Sequence, residues 1–295
     1  MAPEPAEDPG GLIEAPARPA STSSVRVLNV EDGARTRRAD RLATEEPMEI
    51  RVDEPGGEQR TLAVTMRTPG HDFELAAGFL FTEGLIDPGD LRGVRYCDVP
   101  REEQHYNVVT VAVGRPLPDL AARAFYTTSS CGVCGKASLE ALDVQCAPVA
   151  PGPEVAPEVL TALPEELRRV QRVFDRTGGL HAAALFDAGG KLLSSREDVG
   201  RHNAVDKIVG AELMAGNLPL AGRILLVSGR ASFEIVQKAA VAGIPIVAAV
   251  SAPSDLAIDT AERLGVTLIG FLRGDGFNVY SHDNRIDLRD LSGLG

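Results

Sequence analysis

The sequence predicts an α/β fold, with an α/β domain in the second half of the chain and an additional α+β part before it. Between residues 223 and 271, unbroken apolar strands alternate with helical patterns, which is typical of a parallel sheet covered on both faces. Between residues 25 and 113, shorter alternating strands surround one apolar helix, which indicates a smaller mixed unit. The four prolines of Ala147–Pro157 separate these patterns, and we place a domain boundary there because such a linker is extended and stiff.

Charge and composition exclude several classes of protein. The 295-residue chain has a formal net charge of −12, which disfavours non-specific binding to nucleic acid or an anionic membrane. Its first 20 residues lack the apolar stretch of a signal peptide, and no apolar run approaches the roughly 20 residues of a membrane helix. We therefore expect a cytoplasmic protein, in which the four cysteines indicate catalysis or metal binding rather than a disulfide framework.

The first half begins with residues 1–24, whose Pro, Ala, Glu and Ser content predicts a disordered tail. Alternating apolar residues then predict four strands, at Val25–Val30, Met48–Val52, Arg60–Met66 and Asn107–Val113. Between the last two, a helix is predicted, which Asp72 caps and Gly84 ends. Its single apolar stripe indicates core packing and consists of Phe73, Ala76, Ala77, Leu80 and Phe81.

The second half shows regular alternation of strands and helices. A helix opened by Pro164 is predicted to end at Gly178, and a hairpin follows at Ala182–Phe186 and Lys191–Ser194. Helices are predicted at Val199–Met214, with Asp198 as a cap, at Phe233–Ala242 and at Asp255–Leu264. Buried strands are predicted at Arg223–Val227, Ile244–Val250 and Val266–Phe271.

Three small polar loops follow these buried strands, at Ser228–Ser232, Ser251–Ser254 and Phe271–Gly276. Right-handed crossovers would bring all three to one edge of the sheet, where open α/β sheets bind ligands. Helix N-termini and the side chains of Arg230 and Arg273 would suit a phosphate-bearing, nucleotide-like ligand there. The same small residues also suit tight turns, and the sequence leaves both interpretations open.

Two histidines stand out near these loops. The polar run Glu197–Ala204 contains His202, and Asp206 lies four residues further on the same helical face, where it can orient the imidazole. His181 stands at a strand entry, where zinc deaminases carry a His-x-Glu motif. Ala183 replaces that Glu, so zinc-hydroxide chemistry lacks its residues in this half.

The candidate reaction centre is the pair Cys131 and Cys134, which Gly132, Gly135 and Lys136 accompany. A helical pattern begins just after Lys136, so the helix dipole and the ammonium both favour a thiolate. Four interpretations stay open at this point: ordinary loop thiols, half of a zinc site, a thioredoxin-like dithiol, or a sulfur relay. A relay asks for an exposed thiolate with a neighbouring thiol, but spacing alone does not separate relay from redox chemistry.

Longer motifs resemble the FdhD family of formate dehydrogenase accessory sulfurtransferases. The resemblance extends from about Val25 to Ile286, and residues 1–24 lie outside it. Its motifs are Ser129–Lys136, Thr177–His181, Glu197–Lys207, Ser228–Lys238, Ala249–Pro253, Asn278–Tyr280 and Thr68–Phe79.

This resemblance implies a function and a site. Sulfur would pass from a cysteine desulfurase to Cys131 as a persulfide, with Cys134 as its partner. The acceptor would be the molybdenum cofactor in its bis-guanine-dinucleotide form, before that cofactor enters formate dehydrogenase. The family's cofactor segment corresponds here to Phe271, Leu272, Arg273, Gly274, Asp275 and Gly276.

The resemblance also implies a cytidine deaminase-like three-layer domain at residues 161–295, and a homodimer by analogy. The remaining parts are predicted as an α+β part at 25–125 and a segment at 126–160 that holds the Cys-x-x-Cys loop and the Pro-rich linker. No metal ligated by the protein is expected. The alternative function is a non-catalytic chaperone for the molybdenum cofactor, in which the thiols only dock partners.

Overall fold

The computed structural model of the chain describes residues 18–100, 103–117, 126–127 and 146–288. Its helices are α1 (Asp72–Thr82), α2 (Pro157–Val170), α3 (Arg172–Thr177), α4 (Arg201–Met214), α5 (Phe233–Val241) and α6 (Asp255–Leu264). The first strands are β1 (Thr22–Glu31), β2 (Ala34–Ala43), β3 (Glu46–Asp53), β4 (Arg60–Arg67), β5 (Leu91–Tyr96), β6 (Val108–Val113) and β7 (Tyr126–Thr127). The later strands are β8 (His181–Asp187), β9 (Leu192–Asp198), β10 (Arg223–Val227), β11 (Ile246–Ala249), β12 (Thr267–Arg273) and β13 (Gly276–Ser281).

The second half forms a six-stranded sheet with the order β13-β12-β11-β10-β8-β9. Strands β10, β11 and β12 are parallel, which confirms the parallel arrangement predicted for the three buried strands. The hairpin β8–β9 and strand β13 add antiparallel neighbours at the two sides. The sheet is therefore mixed, and β13 is a strand that the sequence did not predict.

Helices cover both faces of this sheet, as its apolar strands require. Helix α2 packs its buried leucines, Leu160, Leu163 and Leu167, against one face. Helices α4, α5 and α6 cover the other face. The mixed α/β class and three layers are thus present, while the likeness to cytidine deaminases stays a prediction.

A five-stranded sheet with the order β5-β6-β3-β4-β7 forms the first half. The strands predicted at Met48–Val52, Arg60–Met66 and Asn107–Val113 are confirmed within it. The sheet's buried side chains pack in one cluster with α1, α4 and the six-stranded sheet. The two predicted domains therefore share one hydrophobic core.

Helix α1 lies in the middle of this shared core, and most of its residues are buried. The predicted single apolar stripe is thus too narrow, because α1 has neighbours on more than one side. It crosses α4 at Gly78 and Gly210, where the backbones touch. Asp72 is the first helical residue rather than the cap, a position held by His71.

The proline-rich stretch packs against the second half of the chain. The Val149 amide donates to the Leu264 carbonyl, and the Val155 amide donates to the Arg285 carbonyl, both at 2.9 Å. Helix α2 then begins at Pro157, with Pro164 inside it, so the predicted start at Pro164 is wrong. Proline fits the first helical turn at Pro157 because no partner exists there for the missing N–H.

Strands β1 and β2 form a separate antiparallel hairpin through the turn Asp32–Gly33. Both turn residues have positive φ, 51° and 79°, as a tight hairpin turn requires. Strand β1 starts at Thr22, inside the predicted disordered tail, and β2 was not predicted. The polar and charged residues of β2 hide its strand pattern, because most of its side chains face solvent.

An ion pair joins helix α1 to strand β9, and it should make the stability of the protein depend on pH. The Arg196 guanidinium donates from Nη2 to Oε1 of Glu74 at 2.8 Å, and His71 contacts the same carboxylate at 3.1 Å. Burial opposes ionisation of Glu74, but Arg196 and His71 outweigh it and lower its pKa to about 2.

Since that pKa is depressed, the stabilisation is complete above about pH 4.5 and is lost as the pH falls toward 2. We expect Glu74→Gln to unfold more easily than wild type by about 2 kcal/mol at pH 6. The difference should vanish near pH 2, and urea titrations across this range measure it. A difference that stays constant with pH would contradict the prediction.

Candidate functional site

The topology gathers three loops at the end of the six-stranded sheet where its parallel strands finish, as the sequence predicts. We call this end the edge. Because β10, β11 and β12 are parallel, the loops Ser228–Ser232 and Ser251–Ser254 and the turn within Phe271–Gly276 lie at the same end of these strands. Backbone hydrogen bonds join them: the Ser254 amide donates to the Ala231 carbonyl at 3.0 Å, and the Phe271 amide donates to the Ser251 carbonyl at 3.1 Å.

Three helices begin at this edge. Helix α4 follows β9, whose last residue pairs with the first residue of β8, and α5 and α6 follow β10 and β11. Their N-cap residues are Gly200, Ser232 and Ser254. Free N–H groups and helix dipoles therefore converge at the edge and favour an anion there.

His202 lies at this edge in the first turn of α4, with partners from α5. Its Nε2 atom is 2.7 Å from Glu234 Oε2 and 3.1 Å from Ser232 Oγ. Burial raises the pKa of Glu234, but His202 outweighs it, so the net shift is downward and Glu234 is a carboxylate at neutral pH. An imidazole with a carboxylate partner can hold or donate a proton.

The predicted partner of His202, Asp206, is wrong. Asp206 is buried and accepts from Thr82 Oγ1 at 2.7 Å and from Lys238 Nζ at 3.1 Å. It therefore belongs to a buried polar network between α1, α4 and α5. Glu234 was not predicted from the sequence, although its place just after the loop Ser228–Ser232 puts it at the same edge.

His181 opens β8 beside the loop after β10. A Cβ atom built on Gly229 would lie 3.2 Å from His181 Nδ1, so the loop approaches the ring closely. Burial lowers the pKa of His181, and the positive charges of Arg201 and Arg230 lower it further. The imidazole is therefore neutral at neutral pH, next to two guanidinium groups.

The predicted cofactor segment consists of the end of β12, the turn Gly274–Asp275 and the first residue of β13. Arg273, Gly274, Asp275 and Gly276 are exposed, and the Arg273 guanidinium stacks over the Phe271 ring at 5.6 Å. Phe271 has φ 53°, which is uncommon for a non-glycine residue. Leu272 is fully buried in the core beneath α2, so its side chain is closed to a ligand.

Cys131, Cys134 and Lys136 lie outside the described residues. The last described residue before them is Thr127, which pairs with Thr65 in β4. The Thr65 hydroxyl is 3.5 Å from the side-chain oxygen of Asn203, the neighbour of His202. Thr127, the last described residue before the cysteine pair, therefore lies near the N-terminus of α4.

The polar run Glu197–Lys207 mainly ties the two halves together. Asp198 accepts from the Thr68 amide at 3.1 Å and pairs with Lys207 Nζ at 2.7 Å. Asn203 donates to the Met66 carbonyl at 2.8 Å. Most of this motif therefore fixes the position of α4, while Arg201 and His202 reach the edge.

Comparison with known proteins identifies the family. The model of the FdhD/NarQ family matches residues 43–287. The chain belongs to the FdhD/NarQ family. The match spans both sheets, the three loops and the cysteine pair, so the resemblance seen in the motifs is confirmed.

Curated FdhD/NarQ relatives are similar over nearly the whole chain. The sulfur carrier protein FdhD of Streptomyces avermitilis is 53% identical over 283 residues, which cover 93% of this chain and 99% of the relative. The protein of that name from Mycolicibacterium paratuberculosis is 55% identical over 273 residues, covering 90% and 98%.

A crystal structure of a putative formate dehydrogenase accessory protein from Desulfotalea psychrophila has the same fold. Its TM-score is 0.69 at 24% identity, with 90% of this chain and 99% of that chain covered. The mixed α/β architecture described above is therefore one that an experimental structure also shows.

Two further observations concern the described residues of this FdhD/NarQ protein. Within those ranges, no three His, Cys, Asp or Glu side chains gather as a metal site; that the protein ligates no metal stays a prediction. No described helix combines the length and apolar character that crossing a bilayer requires.

Proposed function

We propose that this protein is a sulfur carrier for the maturation of formate dehydrogenase, acting in the cytoplasm. In this proposal Cys131 takes sulfur from a cysteine desulfurase as a persulfide and delivers it to the molybdenum cofactor, with Cys134 as the second thiol. The names of the similar relatives support the carrier role. The observation that carries the proposal is the edge of the sheet where three helix N-termini meet Arg201, Arg230 and Arg273, beside which the cysteine segment begins.

The substrate at this edge would be the bis-guanine-dinucleotide form of the cofactor. Its pyrophosphates suit three helix N-termini and the guanidinium groups of Arg201, Arg230 and Arg273. Cys131 follows Thr127 by four residues, so covalent geometry keeps its Cα within about 14 Å of Thr127 Cα. Sulfur and acceptor would therefore meet near the start of α4.

One cycle of the chemistry uses the donor persulfide, the two cysteines and a cellular dithiol. The Cys131 thiolate attacks the outer sulfur of the donor persulfide; the donor S–S bond breaks as a new one forms, and the donor leaves as a thiolate. The Cys134 thiolate then attacks Cys131 Sγ, forms a disulfide and expels hydrosulfide, which is the form of sulfur that the acceptor would receive. The pair supplies two electrons, and a cellular dithiol restores both thiols.

Persulfide mapping tests the proposal. After incubation with a cysteine desulfurase and cysteine, mass spectrometry should find one added sulfur on Cys131, and none on Cys97 or Cys146, which are half-buried. Label on Cys134 alone would reverse the roles of the pair. If a Cys131→Ala, Cys134→Ala variant restored formate dehydrogenase activity, the chaperone alternative would replace the carrier.

Nucleotide binding tests the edge separately. We expect calorimetry to show that Arg230→Ala and Arg273→Ala each weaken GDP binding about tenfold, because each removes a charge-assisted hydrogen bond to phosphate. Arg223→Ala is the matched control, since Arg223 starts β10 at the opposite edge of the sheet. Equal affinity in all three variants would remove these arginines from the site.

The proposed partners are the desulfurase as donor and the catalytic subunit of formate dehydrogenase as acceptor. The chain is further proposed to act as a homodimer, which sedimentation equilibrium of the full chain measures directly.

A further inference from the structure

The hairpin β1–β2 is an exposed ribbon with ten residues in each strand. It forms a sheet of its own, and α3 packs beside its second strand. The match to the family model begins only at residue 43, so almost the whole ribbon precedes the segment that this model covers. The family match and the sulfur chemistry therefore assign no role to the surface of this ribbon.

The register divides the ribbon into two chemically different faces. Directly opposite residues share a face, and alternate residues of one strand do so as well. Val30 lies opposite Arg35, Leu28 opposite Arg37, and Ser24 opposite Arg41. We call this surface the arginine face; its residues are Ser24, Arg26, Leu28, Val30, Arg35, Arg37, Ala39 and Arg41.

The carboxylates of the ribbon lie elsewhere. Glu31 is opposite Ala34 and Asp40 is opposite Val25, both on the other face, and Asp32 is in the turn. The arginine face thus carries four guanidinium groups and no carboxylate, in a chain of net charge −12. Clustering of one sign of charge on one face of an acidic protein favours an anionic partner.

Neither the charges nor the apolar groups of this face are used within the part of the chain that the structure describes. The side chains of Arg26, Arg35, Arg37 and Arg41 have no ion pair or hydrogen bond there. Leu28 and Val30 lie between them and are 55% and 63% exposed. Alternating cationic and apolar side chains match a polypeptide better than a bare phosphate backbone, because the apolar groups need apolar partners.

We propose that the arginine face is a docking surface for an acidic, partly apolar segment of another protein. Each strand of the two-stranded sheet also has an open edge, along which an extended segment can add backbone hydrogen bonds. A ten-residue ribbon offers a face of roughly 300 Å², well below the roughly 800 Å² per partner of a stable complex. Its size therefore fits a transient contact and not a permanent dimer.

The test uses the full chain and a fluorescent peptide of alternating Glu and Leu, as long as one strand. We expect fluorescence anisotropy to show binding that weakens as salt rises from about 50 mM to about 500 mM. Arg35→Glu with Arg37→Glu should weaken binding about tenfold or more. The matched control is Arg38→Glu with Arg176→Glu, which makes the same change in charge at exposed positions away from the arginine face; its affinity should stay within about twofold.

Several outcomes would overturn the proposal. An equal loss of peptide affinity in both double variants would show that the overall charge of the protein, and not the arginine face, determines binding. Equal binding of a peptide of alternating Lys and Leu, or tighter binding of a single-stranded oligonucleotide, would exclude an acidic polypeptide as the occupant. A dimer that Arg35→Glu with Arg37→Glu dissociates in sedimentation would identify a second copy as the occupant instead. Circular dichroism confirms that each variant is folded, and none of these measurements depends on sulfur transfer.

Discussion

The Gly210→Ala variant should lose about 3–5 kcal/mol of folding free energy, although alanine is the better helix former by about 1 kcal/mol. A Cβ atom on Gly210 would lie 1.8 Å from the Glu74 carbonyl oxygen, and one on Gly78 would lie 1.9 Å from the Asp206 carbonyl oxygen. Both obstacles are backbone atoms of the facing helix. Relief therefore requires that α1 and α4 move apart inside the shared core.

The effect should reach the whole molecule, because α1 packs between the five-stranded sheet and α4, and α4 carries His202 to the edge. Urea unfolding followed by circular dichroism measures the loss, and Gly78→Ala should behave alike. The matched control is Gly222→Ala, since a Cβ atom there meets nothing within 4 Å. If Gly210→Ala were as stable as this control, the close helix crossing would be wrong.

Asp198→Ala should cost about 3–5 kcal/mol, because it leaves the ammonium of Lys207 buried and unpaired. The two side chains are 0% and 1% exposed, and their charged atoms are 2.7 Å apart. The same carboxylate also accepts from the amides of Thr68 and Gly200 and from Asn203 Nδ2. Its loss should therefore loosen both the start of α4 and the joint between the halves.

A double variant separates the buried charge from the other contacts. Asp198→Asn with Lys207→Met removes both charges, and it should recover part of the stability that Asp198→Ala loses. The control for an exposed pair is Glu49→Ala, whose partner Arg51 is 36% exposed and which should cost less than about 1 kcal/mol. Equal losses for Asp198→Ala and Glu49→Ala in urea titrations would contradict the prediction.

Local patterns predicted the strands and helices of the second half closely. Residues 223–227 and 255–264 lie where the sequence placed them, and the hairpin predicted at 182–186 and 191–194 overlaps β8 and β9, because unbroken apolar strands and capped helices carry strong local signals. Strands β2, β5, β7 and β13 were missed. The exposed or partly exposed strands β2, β5 and β13 have weak apolar alternation, and β7 has only two residues. The start of α2 was predicted too late, at Pro164, because proline is less common inside a helix than in its first turn.

The candidate site was predicted in part. The common edge of the three loops and the place of His202, Arg230 and Arg273 near it follow from parallel topology, which the apolar strands indicate. Asp206 was chosen because it lies four residues from His202 on the same helical face, and Glu234 was missed because it is 32 residues away along the chain. Only the packing of α5 against α4 brings Glu234 to the imidazole.

The sequence by itself determined the family and the class of fold, because motifs and apolar periods are local properties of the chain; the role of the cysteine pair stays a prediction. Only the tertiary structure decided that the two halves share one core, that Asp198 and Asp206 hold helices together, and that β1–β2 gathers four arginines on one face. These features depend on which distant residues are brought together. A side chain's partners in a folded protein are set by helix crossings and strand register, which no local pattern contains.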